Sequence, residues 1–314
     1  MNLLFIIIYW LLAILSLLSL IMIVTFLVFF LKRREAVQFA LSNTLGCGKQ
    51  VCETKIEDLS IPIQSGTTYN KDVAKYCANL VYRVSKAAMG EDTLNVNDLK
   101  KEIELKNIDE NPVFCVVWTH RKNVYIIFRG TLRLNEWMQD FAYSQKLFSS
   151  KEEDRKQAQL TFLRDISTSP PGVHAGFLEV YQNLRSDLIQ KIQEIKPEQI
   201  IVSGHSLGAA VSTICGLDII RMDCCKNTIV YNFASPRVGD KYFADLVKTN
   251  DLTVYRIVNT ADTIPTLPPS VSPNFNNPSN PWLYSHCGTE IPFTYNMKSV
   301  LNNHLIANYL HFLA

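Results

Sequence analysis

Ile200-Ile201-Val202-Ser203-Gly204-His205-Ser206-Leu207-Gly208-Ala209-Ala210 runs from a short apolar strand through a glycine-bracketed serine into small residues that favour a helix. The pattern G-x-S-x-G between strand and helix predicts a nucleophile elbow. A serine in so sharp a turn is lifted above the sheet, and side chains two positions to either side of it would collide. Gly204 and Gly208 occupy those positions.

A serine hydroxyl is a poor nucleophile until a neighbouring imidazole takes its proton, and the imidazole works best when a carboxylate fixes its tautomer. In a fold of this kind the acid and then the histidine follow the serine in the chain. His120, His174 and His205 precede Ser206, which leaves His286, His304 and His311 as bases. The carboxylates between serine and histidine include Asp218, Asp223, Asp240, Asp245, Asp251, Asp262 and Glu290. Asp262 follows the apolar strand Leu252 to Val258, where the loops of an α/β sheet present ligand-facing groups. Asp218 and Asp223 lie on the helix behind the elbow and are expected to be ordinary solvated charges.

The surrounding pattern is that of a mostly parallel sheet covered on both faces. A helical period begins at Asp72 with Val73, Tyr76, Cys77, Leu80, Val81 and Val84. Pro112 to Thr119 and Val124 to Phe128 form a predicted hairpin around Arg121-Lys122-Asn123. Phe177, Val180, Tyr181, Leu184, Leu188, Ile192 and Ile195 predict a long amphipathic helix that ends before Pro197. Beyond the elbow come a helix from Leu207 to about Met222, strands near Ile229 to Ala234 and Leu252 to Val258, and a final helix around Val300 to Leu310. Pro265 to Pro281 is dense in Pro, Asn and Ser and predicts a surface loop.

Taken in order, several segments resemble the class 3 lipase family: Ile126-Ile127-Phe128-Arg129-Gly130-Thr131, Asn135-Glu136-Trp137 with Asp140, Val173-His174-Ala175-Gly176-Phe177, Val202 to Ala209, Ala234 to Asp240, Val258 to Pro265 with Leu267-Pro268-Pro269, and His304 with Tyr309. The resemblance implies an α/β-hydrolase fold and hydrolysis of lipid carboxylic esters. It implies Ser206 as nucleophile, His304 as general base and then acid, and Asp262 as its orienting carboxylate. It also implies an oxyanion hole at the backbone N–H groups of Leu207 and Thr131, where each donor is typically worth about 2.7–4 kcal/mol. Thr131 to Met138 matches the family's short lid, with Trp137 and Met138 as its lipid contacts. Leu305 stands where the family often has a serine, and His286, in Tyr284-Ser285-His286-Cys287-Gly288, is the alternative base. The stretch from Ser144 to Pro171 is longer and more charged than in compact members and is expected to form a solvated helix or a lid-like insertion.

A 314-residue chain that is 47% hydrophobic has ample material for one large domain. Its 31 basic and 29 acidic residues are mixed along the chain, which argues against nucleic acid as a partner. The eight cysteines follow no disulfide or zinc-ribbon spacing, so free thiols and no metal or other cofactor are expected. Leu3 to Leu31 contains no charged residue, a run of 29 against the roughly 20 that span a bilayer. Residues 1–34 are therefore read as a single-pass transmembrane anchor with a basic flank, 35–65 as a juxtamembrane linker and 66–314 as the hydrolase domain. Expected partners are the bilayer and a lipid ester such as a tri-, di- or monoacylglycerol or a phospholipid. Two other functions fit the chain less well: a catalytically inactive lipase-like module that recruits partners to a membrane, and an esterase on a non-lipid ester.

Lys32-Arg33-Arg34 follows the apolar run directly, and the positive-inside bias then places the catalytic domain in the cytosol. Protease added outside intact cells should leave residues 60–314 uncut, and external cleavage within that span would overturn the orientation.

Overall fold

A computed structural model describes residues 60–62, 66–107, 112–132, 144–148, 171–274 and 277–314. The anchor and most of the linker, the lid residues Trp137 and Met138, and most of the 144–171 stretch lie outside these. Among the described residues no helix is long and apolar enough to cross a membrane.

The scaffold is a seven-stranded sheet of order β1-β2-β3-β6-β7-β8-β11. Its strands are β1 (Lys100–Lys106), β2 (Val113–His120), β3 (Asn123–Phe128), β6 (Gln199–His205), β7 (Thr228–Phe233), β8 (Thr253–Asn259) and β11 (Thr289–Phe293). Pairing is antiparallel across β1-β2-β3 and parallel from β3 onward through β6, β7, β8 and β11. Two-stranded ribbons join β4 (Gln145–Leu147) to β5 (Gly172–His174) and β9 (Val271–Ser272) to β10 (Trp282–Leu283).

Every residue of β6 and β7 is buried, because helices cover both faces of the central sheet. Strand alternation therefore divides one apolar run between two cores. Ile200 and Val202 face a core shared with α2 (Ala175–Ile195), α3 (Leu207–Arg221) and α4 (Lys241–Thr249), while Ile201 faces α1 (Lys71–Ala88) and α6 (Ile306–Leu313). Local chemistry sets the helix starts: Asn70 Oδ1 accepts from the N–H groups of Asp72 and Val73 at α1, and His174 Nδ1 from those of Gly176 and Phe177 at α2. These contacts satisfy donors that have no partner within the helix.

Several elements differ from what the pattern predicts. Edge strand β1, Lys-Lys-Glu-Ile-Glu-Leu-Lys, is masked in sequence by charges that face water and protect the edge. Strand β11, at the other edge, contains Pro292, and α4 is only nine residues long. The final helix is two helices, α5 (Val300–Asn303) and α6, with His304 and Leu305 between them. Asp218 is a correction: it is 1% exposed, and its carboxylate accepts from Tyr181 Oη (2.7 Å) and Arg185 Nε (2.7 Å). The reason is that α2 lies over α3, which leaves the helix behind the elbow no solvent face at that position. Asp223, at the helix end, is exposed as expected. All six described cysteines are free thiols.

The loop that follows β8 is clamped from two sides. Arg237 Nη1 donates to the carbonyls of Thr266 and Pro268, and His286 Nε2 to that of Pro265 at 2.9 Å. Burial and the guanidinium groups of Arg256 and Arg237 hold the His286 imidazole down at about 3, so it stays neutral. The unfolded chain takes up this proton near pH 6.5 and the folded protein only near pH 3, so between those values acid favours unfolding. The stabilisation is complete above about pH 6.5 and is lost by up to about 1.4 kcal/mol per pH unit below it. Urea unfolding at roughly pH 7 and pH 5 should show a smaller loss of stability in His286→Gln than in the parent chain; equal losses would contradict the assignment.

Candidate active site

Strand β6 delivers Ser206 at the carboxyl end of the sheet, and α3 begins at the next residue. Ser206 has φ 57° and ψ −123°, a conformation that L residues rarely adopt. Two glycines make room for it. A Cβ on Gly204 would stand 2.2 Å from the Gly208 carbonyl oxygen, and one on Gly208 would stand 2.3 Å from that of Arg129. The turn is held by Ser206 N–H, which donates to the Phe233 carbonyl, and by the Ser206 carbonyl, which accepts from Ala209 and Ala210.

The first N–H groups of a helix have no intrahelical acceptor and carry its positive dipole end. Leu207 N–H is the first of α3, beside the serine. The loop after β3 runs alongside, since a Cβ on Gly130 would lie 3.4 Å from Ser206 Cβ. Thr131 is the next residue of that loop and is part-exposed. Leu207 N–H thus lies beside the serine, as does the β3 loop at Gly130, the residue before Thr131.

Asp262 and His304 come from separate loops and meet inside the protein. His304 Nδ1 lies 2.7 Å from Asp262 Oδ2, and the two side chains are 4% and 0% exposed. Asp262 Oδ2 also accepts from Tyr309 Oη at 2.8 Å, and Oδ1 from Ile264 N–H at 2.9 Å. Because a carboxylate only accepts, Nδ1 of His304 carries its proton toward Asp262, which leaves Nε2 as the basic nitrogen. Burial and the neighbouring Asp262 push the Tyr309 hydroxyl well above its ordinary range, so it remains a donor. His304 Nε2 and Ser206 Oγ are both buried without a hydrogen-bond partner.

Two asparagines stitch the acid loop to the base loop. Asn259 Nδ2 donates to the carbonyls of Tyr295 (2.8 Å) and Asn303 (3.0 Å), and its Oδ1 accepts from Ala261 and Tyr295. Asn303 Nδ2 donates in turn to the Ala261 carbonyl at 2.9 Å. Reasoning from sequence assigns Asn303 no role. Its only signal there is a position next to His304.

The other candidates lie elsewhere. His286 bonds the Pro265 carbonyl and makes no hydrogen bond with Ser206 or Asp262. His311 is exposed on α6, with its ring 5.2 Å from that of Tyr295. Asp240 caps α4 through Phe243 N–H, Asp245 pairs with Lys241, and Glu290 pairs with Arg256. Among the described residues no group of His, Cys, Asp and Glu is arranged to hold a metal ion.

Residues 125–272 match the family model described as Lipase (class 3). A lipase of Rhizomucor miehei is 30% identical over 159 residues, which cover 48% of this chain and 38% of that protein. Secreted mono- and diacylglycerol lipase 1 of Fusarium solani is 29% identical over 155 residues, covering 48% and 41%. Phospholipase A1-II 1 of Oryza sativa subsp. indica is 34% identical over 168 residues, covering 47% and 40%. The matched stretch therefore spans less than half the length of these relatives. Among solved structures, the Rhizomucor miehei triacylglyceride lipase superposes with a TM-score of 0.56 at 22% identity, over 75% of this chain and 94% of that one. Lipase II from Rhizopus niveus gives 0.55 at 21%, over 72% and 80%. These likenesses show an α/β-hydrolase fold, and together with the match over residues 125–272 they support the class 3 lipase family for this chain.

Proposed function

We propose that the protein hydrolyses carboxylic esters of lipids with Ser206 as nucleophile, His304 as proton shuttle and Asp262 as its orienting acid. The observation that carries this reading is the buried His304–Asp262 pair, which turns an unpartnered imidazole nitrogen toward chemistry at the same sheet end as an unpartnered serine hydroxyl. In the resting site those two atoms are not bonded to each other. Catalytic hydrogen bonds often tighten only when substrate is in place.

His304 Nε2 takes the Ser206 proton as Oγ attacks the ester carbonyl carbon, and the carbonyl oxygen becomes an oxyanion between the N–H groups of Leu207 and Thr131. The tetrahedral adduct collapses to an acyl-serine as Nε2 gives its proton to the departing alcohol. Water then enters, gives its proton to the same nitrogen and releases the acid by the reverse sequence.

Relatives named as lipases, as a mono- and diacylglycerol lipase and as a phospholipase A1 share a glycerolipid ester as substrate, and we assign that class here. Large apolar side chains flank the site: Leu132, after Thr131, is 41% exposed and Leu305, after His304, is 38% exposed. Such surface suits an acyl chain better than a sugar. Anchoring through Leu3 to Leu31 would supply substrate by lateral diffusion in the membrane, with the domain on the cytosolic side and Trp137 and Met138 as lid contacts.

Ser206→Ala should abolish both hydrolysis of a short nitrophenyl ester and labelling by a fluorophosphonate; full labelling of that variant would sink the reading. His304→Ala should lower turnover by about a thousandfold or more, whereas His286→Ala should retain far more activity. Steady-state kinetics on the same ester decides between them, and a reversed order would move the base to His286.

A further inference from the structure

Strand alternation sends His205, the last residue of β6, to the face of the sheet opposite α3, into the space beside α6. Its ring lies 6.0 Å from that of Tyr309 and 4.5 Å from that of His304. His205 Nε2 stands 2.7 Å from the backbone carbonyl oxygen of His304. A carbonyl only accepts, so Nε2 carries the proton and donates. The residue is 8% exposed, and Gly130 backs its other nitrogen, where a Cβ would come within 2.8 Å of Nδ1. The ring therefore has little room to swing.

We infer that His205 is the positioning residue for the base: through its Nε2–H bond to the His304 carbonyl it sets where His304 stands relative to Ser206. The inference rests on the assignment of His304 as proton shuttle. Two features make such a tether necessary. His304 sits at the junction of the four-residue helix α5 and the eight-residue α6, with Leu305 extended after it, so neither helix by itself fixes the junction. The bond to Asp262 holds the ring at one atom, and the Asn259 bond to the Asn303 carbonyl ties the preceding peptide to the acid loop, but neither refers His304 to the strand that leads into Ser206. The bond from His205 supplies that reference, because it comes from the residue covalently joined to the nucleophile. Nucleophile and base, 98 positions apart in the chain, are in this way referred to one piece of strand.

The same ring is unsuited to compete for the serine proton. Its only protonated nitrogen is engaged with the carbonyl, and burial, followed by the nearby His304, keeps its proton affinity well below that of a free imidazole. It acts by holding position and stays neutral when His304 becomes an imidazolium.

The test uses the full chain in detergent and the near-isosteric pair His205→Gln and His205→Met, which differ in whether a side-chain N–H remains. Each is measured alone and in a His304→Ala background, with kcat and KM on a short nitrophenyl ester and a thermal unfolding midpoint for every variant. His205→Met should lose about tenfold to a hundredfold in kcat with KM nearly unchanged, the scale expected for a displacement of about 1 Å. His205→Gln should recover most of that loss. In the His304→Ala background the Met and Gln variants should be equally active, because nothing remains to be positioned. A general structural role instead predicts the same fold loss in both backgrounds, and that result overturns the inference. Parent-like kcat in His205→Met also overturns it, while the triad stands. Near-parent activity in His304→Ala removes the triad and this inference together. If His205→Met does not fold, His205→Phe replaces it against His205→Gln, and the same outcomes decide.

Discussion

Close contact between bare backbones at the Ser206 turn is the constraint on which the rest of the molecule depends. Gly204 lies so near the Gly208 carbonyl, and Gly208 so near the Arg129 carbonyl, that one methyl group at either position would push α3 away from the sheet. Without that approach the serine could not take its positive φ, a strain of order 1–3 kcal/mol that persists only where the surroundings over-determine it. Here they do. Every residue of α3 from Leu207 to Ile219 is buried, between the sheet on one side and α2 on the other. The helix cannot relax outward without exposing that surface, so the turn, the helix N-terminus and the β3 loop beside it form one rigid unit.

A second device holds the remaining groups against this unit. Asp262 and His304 sit on loops with little regular structure, and loops alone place side chains poorly. Asn259, Asn303 and Tyr309 convert the two loops into one body by bonding backbone of one to backbone of the other and by filling the second acceptor position on Asp262. Nearly all of these partners are uncharged, so they add direction to the site without adding competing charge. The Arg237 and His286 clamp extends the same support along the chain from Asp262 to Pro268. An electrostatic site works because its groups are already aimed before charge develops, and this network is what aims them.

Much of the framework is legible in the sequence because it depends on neighbours in the chain. Apolar alternation and helical spacing locate β2, β3, β6, β7, β8 and α1 to α3, each within a few residues of its observed bounds. The failures have physical reasons. Strand β1 hides behind its own edge charges, and α4 is too short to show a period. The helix pattern from Val300 to Leu310 gives no sign of the break at His304, because Ile306, Tyr309 and Leu310 continue the apolar spacing across it. Asp218 looks solvated until α2 is laid over it.

The sequence by itself determined the strand, the strained turn and the serine within it, since those follow from the spacing of glycines around one residue and the apolar run before it. The family resemblance pointed to His304 and Asp262, yet the chain left His286 and His311 open as bases and several carboxylates open as acids. Only the tertiary structure decided which of them meet. It pairs His304 with Asp262 inside the protein, sends His286 to the Pro265 carbonyl and leaves His311 on the surface. The reason is that such a pairing is a property of two loops 42 residues apart, and their meeting depends on the sheet order and on Asn259 and Asn303 as cross-links. No local pattern encodes a distance between side chains that the fold alone brings together.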